Sequence, residues 1–142
     1  MARMKLKYKI FAGAAALMMA ALFAGCVNTV TGQKTAGVPF IKDTIEERYE
    51  KPIEPVFQAA RAVIAENGTL INEGTLYGQT NSLGNVARTI KGKVNERMVY
   101  VRVEALDPKI TATAVQTRTA AGVSDIDLAV QLDRQILMKL SR

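Results

Sequence analysis

The sequence contains no histidine and no tryptophan, and it has one cysteine among 142 residues. Without histidine, the chain lacks the most common general base of enzymes and the most common metal ligand. Without tryptophan, it lacks the largest aromatic surface for stacking on a sugar ring. A lone cysteine excludes an internal disulfide, so packing alone must hold the fold. We therefore expect a protein that is not an enzyme and that needs no metal ion or cofactor.

The single cysteine, Cys26, follows a segment with the layout of a secretory signal. Residues 1–9 carry four basic side chains and no acid, and residues 10–24 form an uncharged apolar run of 15. A basic N-terminal region, a short apolar segment and a cleavage site of small residues are typical of the signal peptides of exported proteins. The run is shorter than the roughly 20 residues that a membrane-spanning helix needs. An uncleaved membrane anchor is the alternative interpretation of the same residues.

Phe23, Ala24, Gly25 and Cys26 resemble the lipobox of bacterial lipoproteins, which usually reads leucine, a small residue, glycine or alanine, and then cysteine. Phe23 departs from this pattern, and Leu22 stands one place earlier. The resemblance implies transfer of a diacylglyceryl group to the Cys26 sulfur, cleavage between Gly25 and Cys26, and acylation of the new amino group, with palmitate as a typical chain. A buried free thiol is the other interpretation of Cys26.

The residue after the cysteine influences sorting in such lipoproteins, and aspartate there favours the inner membrane. This chain has Val27, which implies the inner leaflet of the outer membrane, facing the periplasm. Two or three acyl chains hold a protein on a membrane essentially permanently. The expected partners are the membrane, through the lipid, and an envelope protein or an anionic lipid or glycan.

Much of the net positive charge of the chain lies in residues 1–25, called here the leader. The formal net charge is +6, and the four basic residues of the leader account for four of these charges, which leaves the processed chain at +2. The basic isoelectric point therefore does not indicate a nucleic-acid partner, and we expect none.

Three regions follow from these patterns: a lipoprotein signal peptide over residues 1–25, a lipidated cysteine with a flexible tether over residues 26–39, and a single domain over residues 40–142. The tether is assigned because residues 27–39 are polar and glycine-containing and have neither a helical nor a strand period.

Hydrophobic periodicity predicts the elements of the domain. Strands are expected over residues 40–50, 69–80, 86–94, 97–105 and 109–119, and the first helix over residues 52–66, with Gly68 as a left-handed stop. The segment 81–85 is expected to be a loop. The last helix is expected to start at Ser124, with Asp127 completing a capping box. The fold class is α+β: an antiparallel sheet of about four to five strands with two helices packed on one face, in the order β-α-β-β-β-β-α.

This element order resembles the helix-grip modules of some outer-membrane lipoproteins. Six segments of the processed chain also resemble a family of small bacterial lipoproteins of unknown function: residues 31–35, 68–70, 92–95, 99–103, 116–119 and 124–128. Because that family has no assigned activity, the resemblance implies a compartment and a fold but no catalytic residue.

The short connections between the strands 86–94, 97–105 and 109–119 predict an antiparallel meander. Five basic residues on this meander form a candidate anion-contact patch: Arg88, Lys91, Lys93, Arg97 and Arg102. If they share an exposed face, they could bind phosphates of lipid headgroups or an acidic partner. The alternative is that they are ordinary strand-edge residues, which prevent edge pairing or pair with acids across strands.

A second cluster is acidic and comprises Asp43, Glu46, Glu47, Glu50 and Glu54. Paired carboxylates are the machinery of glycoside hydrolases, but a solvated strand and helix start explain the same residues, and we prefer that interpretation.

The favoured hypothesis is a lipid-anchored envelope lipoprotein that acts as a non-enzymatic interaction or structural module. The alternative is a module that binds a lipid or glycan between sheet and helices, in a cavity lined by Phe57, Val99, Val101, Val103 and Ile136.

Overall fold

The structure is a computed structural model that describes residues 25–37, 42–76 and 86–142. The signal peptide up to residue 24, the predicted loop 81–85 and the ends of two predicted strands, at residues 40–41 and 77–80, lie outside the described residues. The elements in chain order are β1 Gly25–Asn28, β2 Lys34–Gly37, β3 Thr44–Tyr49, α1 Ile53–Asn67, β4 Thr69–Leu76, β5 Ala87–Val94, β6 Arg97–Asp107, β7 Ile110–Arg118 and α2 Ile126–Leu140.

The main sheet has five strands in the order β3-β7-β6-β5-β4, and every neighbouring pair is antiparallel. Strands β5, β6 and β7 form the predicted meander. Asn95 and Glu96 both have positive φ values, of 48° and 60°, which is the geometry of a two-residue hairpin turn that matches the twist of its strands. At the next turn, the Lys109 amide donates to Asp107 Oδ1 over 2.7 Å. The predicted α+β class and its element order are confirmed.

Both helices pack on one face of this sheet, and the core lies between the two layers. Strand β6 contributes Val99, Val101 and Val103, which are at most 1% exposed. The helices contribute apolar stripes, with Phe57 and Ile64 on α1 among the most buried residues. The apolar side chains that recur every second residue in β6 and about every 3.6 residues in the helices therefore pack together in one hydrophobic cluster.

The opposite face of the sheet, called here the outer face, carries the alternate residues of each strand, among them Lys91, Tyr100 and Gln116. Strands β1 and β2 form a second, two-stranded sheet, and the turn between them contacts this face, where the Val30 amide donates to Gln116 Oε1 over 3.3 Å. Thr29 and Thr31, in the turn of this hairpin, are buried. Residues 27–39, in which the sequence showed no strand period, thus contain most of a paired hairpin. Its strands are only four residues long, too short for a clear period.

Two local predictions are corrected by the structure. Gly68 has an extended φ of −173° rather than a left-handed conformation, and a Cβ there would lie 2.0 Å from the Lys93 carbonyl oxygen. Close approach of two backbones therefore explains this glycine. The α2 N-cap is Asp125 rather than Ser124, since Asp125 Oδ1 accepts from the Leu128 amide over 3.2 Å.

Candidate functional site

Cys26, the predicted lipidation residue, lies in β1 opposite Ala36 of β2. Its thiol is free and the residue is exposed. The interpretation of Cys26 as a buried thiol is therefore wrong. Gly25, on the other side of the expected cleavage point, is exposed as well. The hairpin presents Cys26 to solvent while its turn packs against the main sheet.

The structure divides the five candidate basic residues between the two faces of the sheet. Arg88 is paired with Val103 and lies on the helix side, where its guanidinium sits 3.4 Å from the centre of the Phe57 ring. Arg97 lies at the start of β6, opposite Val94. The outer face carries the other three: Lys91, Lys93 and Arg102.

Four of these five residues form ion pairs with carboxylates. Arg97 pairs with Asp125 at 3.0 Å, and Lys93 pairs with Glu96 at 2.7 Å. Two further pairs are Arg88 with Glu54 and Arg102 with Glu104.

The fifth residue, Lys91, places its ammonium 5.7 Å from the centre of the Tyr100 ring. The basic residues expected to form one positive patch thus lie on two faces of the sheet, and most of them form ion pairs with carboxylates. Lys91 and Lys93 stay together on the outer face.

The predicted acidic cluster is also separated. Glu46 and Glu47 are consecutive in β3, so their side chains point to opposite faces of the sheet. Glu54 lies on α1 and pairs with Arg88. Asp43 is buried and belongs to a different network. Across the ranges 25–37, 42–76 and 86–142, no group of three or more cysteine, aspartate or glutamate side chains is placed to hold a metal ion.

Asp43 is the centre of a buried polar network that joins three parts of the chain. Asp43 Oδ2 accepts from Arg118 Nε at 2.8 Å and from Arg118 Nη2 at 2.6 Å. Gln116 Nε2 donates to Asp43 Oδ1 over 2.7 Å, and Gln116 Oε1 accepts from the Val30 amide. Asp43 and Arg118 are only 8% and 4% exposed. The network connects the hairpin, the start of β3 and the end of β7. Sequence reasoning missed it because Asp43 is 73 residues from Gln116 and 75 from Arg118.

The cavity expected between sheet and helices falls in a region that is filled. Phe57, Val99, Val101, Val103 and Ile136 all belong to the hydrophobic cluster and are at most 1% exposed. These five side chains therefore contribute packing to the core.

A concave region of about 630 Å³ lies instead on the outer face. We call it the trough. Ala112 and Ala114 of β7 form its floor, and charged residues of β3 and β6 form its walls. Val30 of the hairpin turn also lines it. Sequence reasoning missed the trough because its lining comes from strands that become neighbours only through the sheet order.

Comparison with protein-family models and with curated proteins found no match. None of the helices in the described parts of the chain is both long and apolar enough to cross a membrane.

Proposed function

We propose that this protein is a bacterial lipoprotein held in the cell envelope by acyl chains on Cys26, and that its domain acts by binding or by a structural role rather than by catalysis. The observation that carries this proposal is the lipobox-like end of the leader at the only cysteine of the chain. The exposure of Cys26 supports it, since the thiol of a folded precursor would be accessible to an acyl-transfer enzyme. The resemblance to small lipoproteins of unknown function points the same way.

The proposed location is the inner leaflet of the outer membrane, with the domain in the periplasm. Val27 supports this location, because the inner-membrane signal would be an aspartate at that position. The absence of histidine from the whole sequence supports a non-enzymatic role. The burial of Asp43 beneath Arg118 also supports it, because that carboxylate is committed to an internal ion pair.

The test of the anchor is Cys26→Ser. The serine hydroxyl is a far weaker nucleophile than a thiolate, so the variant should not be acylated and should remain an unprocessed precursor. Intact mass and detergent phase partitioning of the protein from membranes would measure both effects. The expected wild-type mass is that of the chain from Cys26 onward plus two or three acyl chains.

A matched control keeps one cysteine in the chain but moves it. Ser141 is exposed and lies far from the lipobox-like segment in the sequence, so Cys26→Ser combined with Ser141→Cys should also stay unacylated. An unchanged mass and unchanged partitioning in Cys26→Ser would contradict the proposal.

A further inference from the structure

The trough on the outer face has a charge pattern set by the register of three strands. Strand β7 lies between β3 and β6, so each floor alanine has a charged residue on either side. Ala114 lies between Glu46 and Arg102, and Ala112 lies between Arg48 and Glu104. Each alanine and its two charged neighbours form a row across the three strands. The acid and the base of a row are two inter-strand spacings apart, about 10 Å. Because alanine side chains are only methyl groups, they leave the space between the two walls open.

One wall of the trough is unusually buried for charged residues on a sheet surface. The side chains of Arg102 and Glu104 are 22% and 12% exposed, and Arg102 Nη2 donates to Glu104 Oε2 over 2.9 Å. The second carboxylate oxygen, Glu104 Oε1, is buried and has no hydrogen-bond partner within the described residues. A buried carboxylate oxygen that accepts no hydrogen bond is energetically unfavourable. After a rotation of the Glu104 carboxylate towards the trough, an N–H group of a ligand would donate to this oxygen and remove the penalty.

These observations define the chemistry of a matching ligand. It needs a positively charged N–H donor for Glu104 and an anionic acceptor for Arg48 at the opposite wall. The two groups must be about 10 Å apart, which is the span of about three extended residues. A volume of about 630 Å³ is within the usual range of small-molecule sites.

We propose that the trough binds a short peptide with free termini, about three residues long. The peptide crosses the floor at Ala112, with its ammonium group at Glu104 and its carboxylate at Arg48. This inference goes beyond the proposed function and does not depend on acylation of Cys26.

Trialanine is the probe for the test, because its side chains are small and its two ends carry the required charges. The full chain, purified in mild detergent, would be titrated with trialanine while amide chemical shifts are recorded. Shifts are expected at Ala112, Ala114 and Glu104. No shift at these residues up to about 10 mM trialanine, well above a weak Kd of about 1 mM, would overturn the proposal.

Two modified probes separate the charged ends. N-acetyl-trialanine lacks the ammonium group, and trialanine amide lacks the carboxylate. Each should bind roughly tenfold more weakly or worse, since each loses one charge-assisted hydrogen bond. Equal binding of all three probes would show that the charged rows do not recognise the ligand, and it would overturn the proposal.

Variants assign the ammonium end to Glu104. Glu104→Gln should weaken trialanine binding roughly tenfold and should leave the weaker binding of N-acetyl-trialanine almost unchanged. The matched control is Glu73→Gln on β4, whose carboxylate pairs with Arg61 of α1 and should not affect binding. Trialanine binding by Glu104→Gln at the wild-type Kd would overturn the assignment.

A steric variant and the anchor variant complete the test. Ala112→Leu should abolish binding of all three probes by filling the floor, and a thermal melt would verify that the variant folds. Retained trialanine binding by folded Ala112→Leu would overturn the proposal. Cys26→Ser should bind trialanine as the wild type does, so failure of the anchor proposal and failure of the peptide proposal give different results.

Discussion

At the scale of single residues, Asp133 is the acidic exception in the apolar stripe of its helix. It lies in the apolar stripe of α2 and is buried. The Tyr49 hydroxyl of β3 donates to Asp133 Oδ1 over 3.1 Å. Burial raises the pKa of Asp133 above its usual value, an effect that the Tyr49 hydrogen bond opposes and the Glu47 charge reinforces. Burial and the nearby Asp133 carboxylate likewise raise the pKa of Tyr49. The polar exception in the stripe is thus explained by a contact with the edge strand.

The raised pKa of Asp133 predicts a pH-dependent stability difference between the wild type and Asp133→Asn. The folded state holds the Asp133 proton more tightly than the unfolded state, whose pKa is near 3.8. This contribution to stability is fully present below that pH and is lost as the pH rises through the folded-state pKa. Asparagine keeps an acceptor for Tyr49 but does not ionise. Asp133→Asn should therefore gain free energy of unfolding relative to the wild type between pH 3 and pH 7, by about 1.4 kcal/mol for each tenfold difference in proton affinity.

Urea unfolding of both proteins at a series of pH values would measure this difference. Glu66→Gln is a suitable control, because Glu66 is exposed and pairs with Lys139 at the surface. A difference between the wild type and Asp133→Asn that stays constant, or that shrinks with rising pH, would refute the prediction.

At the scale of elements, the ion pair of Asp43 and Arg118 holds the hairpin, β3 and β7 together. Both side chains are buried. Gln116 connects the pair to the hairpin turn, because its side chain donates to Asp43 and accepts from the Val30 amide. Breaking a buried pair from one side leaves an uncompensated charge in a region of low dielectric. Removing both charges avoids that penalty.

Arg118→Met should therefore lower the free energy of unfolding by about 3–5 kcal/mol. The double variant Asp43→Asn with Arg118→Met should recover part of this loss. Denaturant unfolding would measure both values. Arg61→Met is the control: its pair with Glu73 is exposed, so the loss should stay below about 1 kcal/mol. A loss for Arg118→Met no larger than for Arg61→Met would show that the network does not hold these elements together.

At the scale of the whole molecule, the distribution of charge matters more than its sum. The processed chain is only +2 by composition, and most of the predicted basic patch is paired with acids. Lys91 and Lys93 are nevertheless close together on the outer face, the face that the turn of the Cys26 hairpin contacts through Val30. If the protein is anchored through Cys26, these two lysines would lie on the face of the sheet that the anchor hairpin contacts, and we expect that face to be turned towards the membrane.

Lys91→Glu with Lys93→Glu should therefore weaken association with anionic vesicles. Each basic residue near such a surface contributes about 1 kcal/mol, so the Kd should rise roughly tenfold or more at low salt. The effect should shrink towards physiological salt, because exposed charges are screened over about 8–10 Å. Vesicle sedimentation of residues 26–142 carrying Cys26→Ser would measure this without the lipid.

The matched control reverses two charges on the helix side, Arg134→Glu with Lys139→Glu, which lie on α2. This control should bind anionic vesicles more tightly than Lys91→Glu with Lys93→Glu. Equal binding of the two double variants would show that the effect is one of net charge alone.

The sequence by itself determined the features that depend on neighbours along the chain. The alternation of Val99, Val101 and Val103 predicts a half-buried strand, and the apolar stripes predict two helices, because each pattern is the period of its own element. The turn at Asn95 and Glu96 follows from the same patterns, because these are the two residues between the predicted strands 86–94 and 97–105. The leader and the lipobox resemblance at Cys26 are also local in the sequence.

Only the tertiary structure decided which distant residues meet. The opposition of Arg48 and Glu104 across Ala112 requires both the sheet order and the register, and a slip of one residue would send these side chains to the other face. Asp43 and Arg118 meet although 75 residues separate them. Strand pairing is stabilised by non-local packing, which periodicity along the chain does not specify.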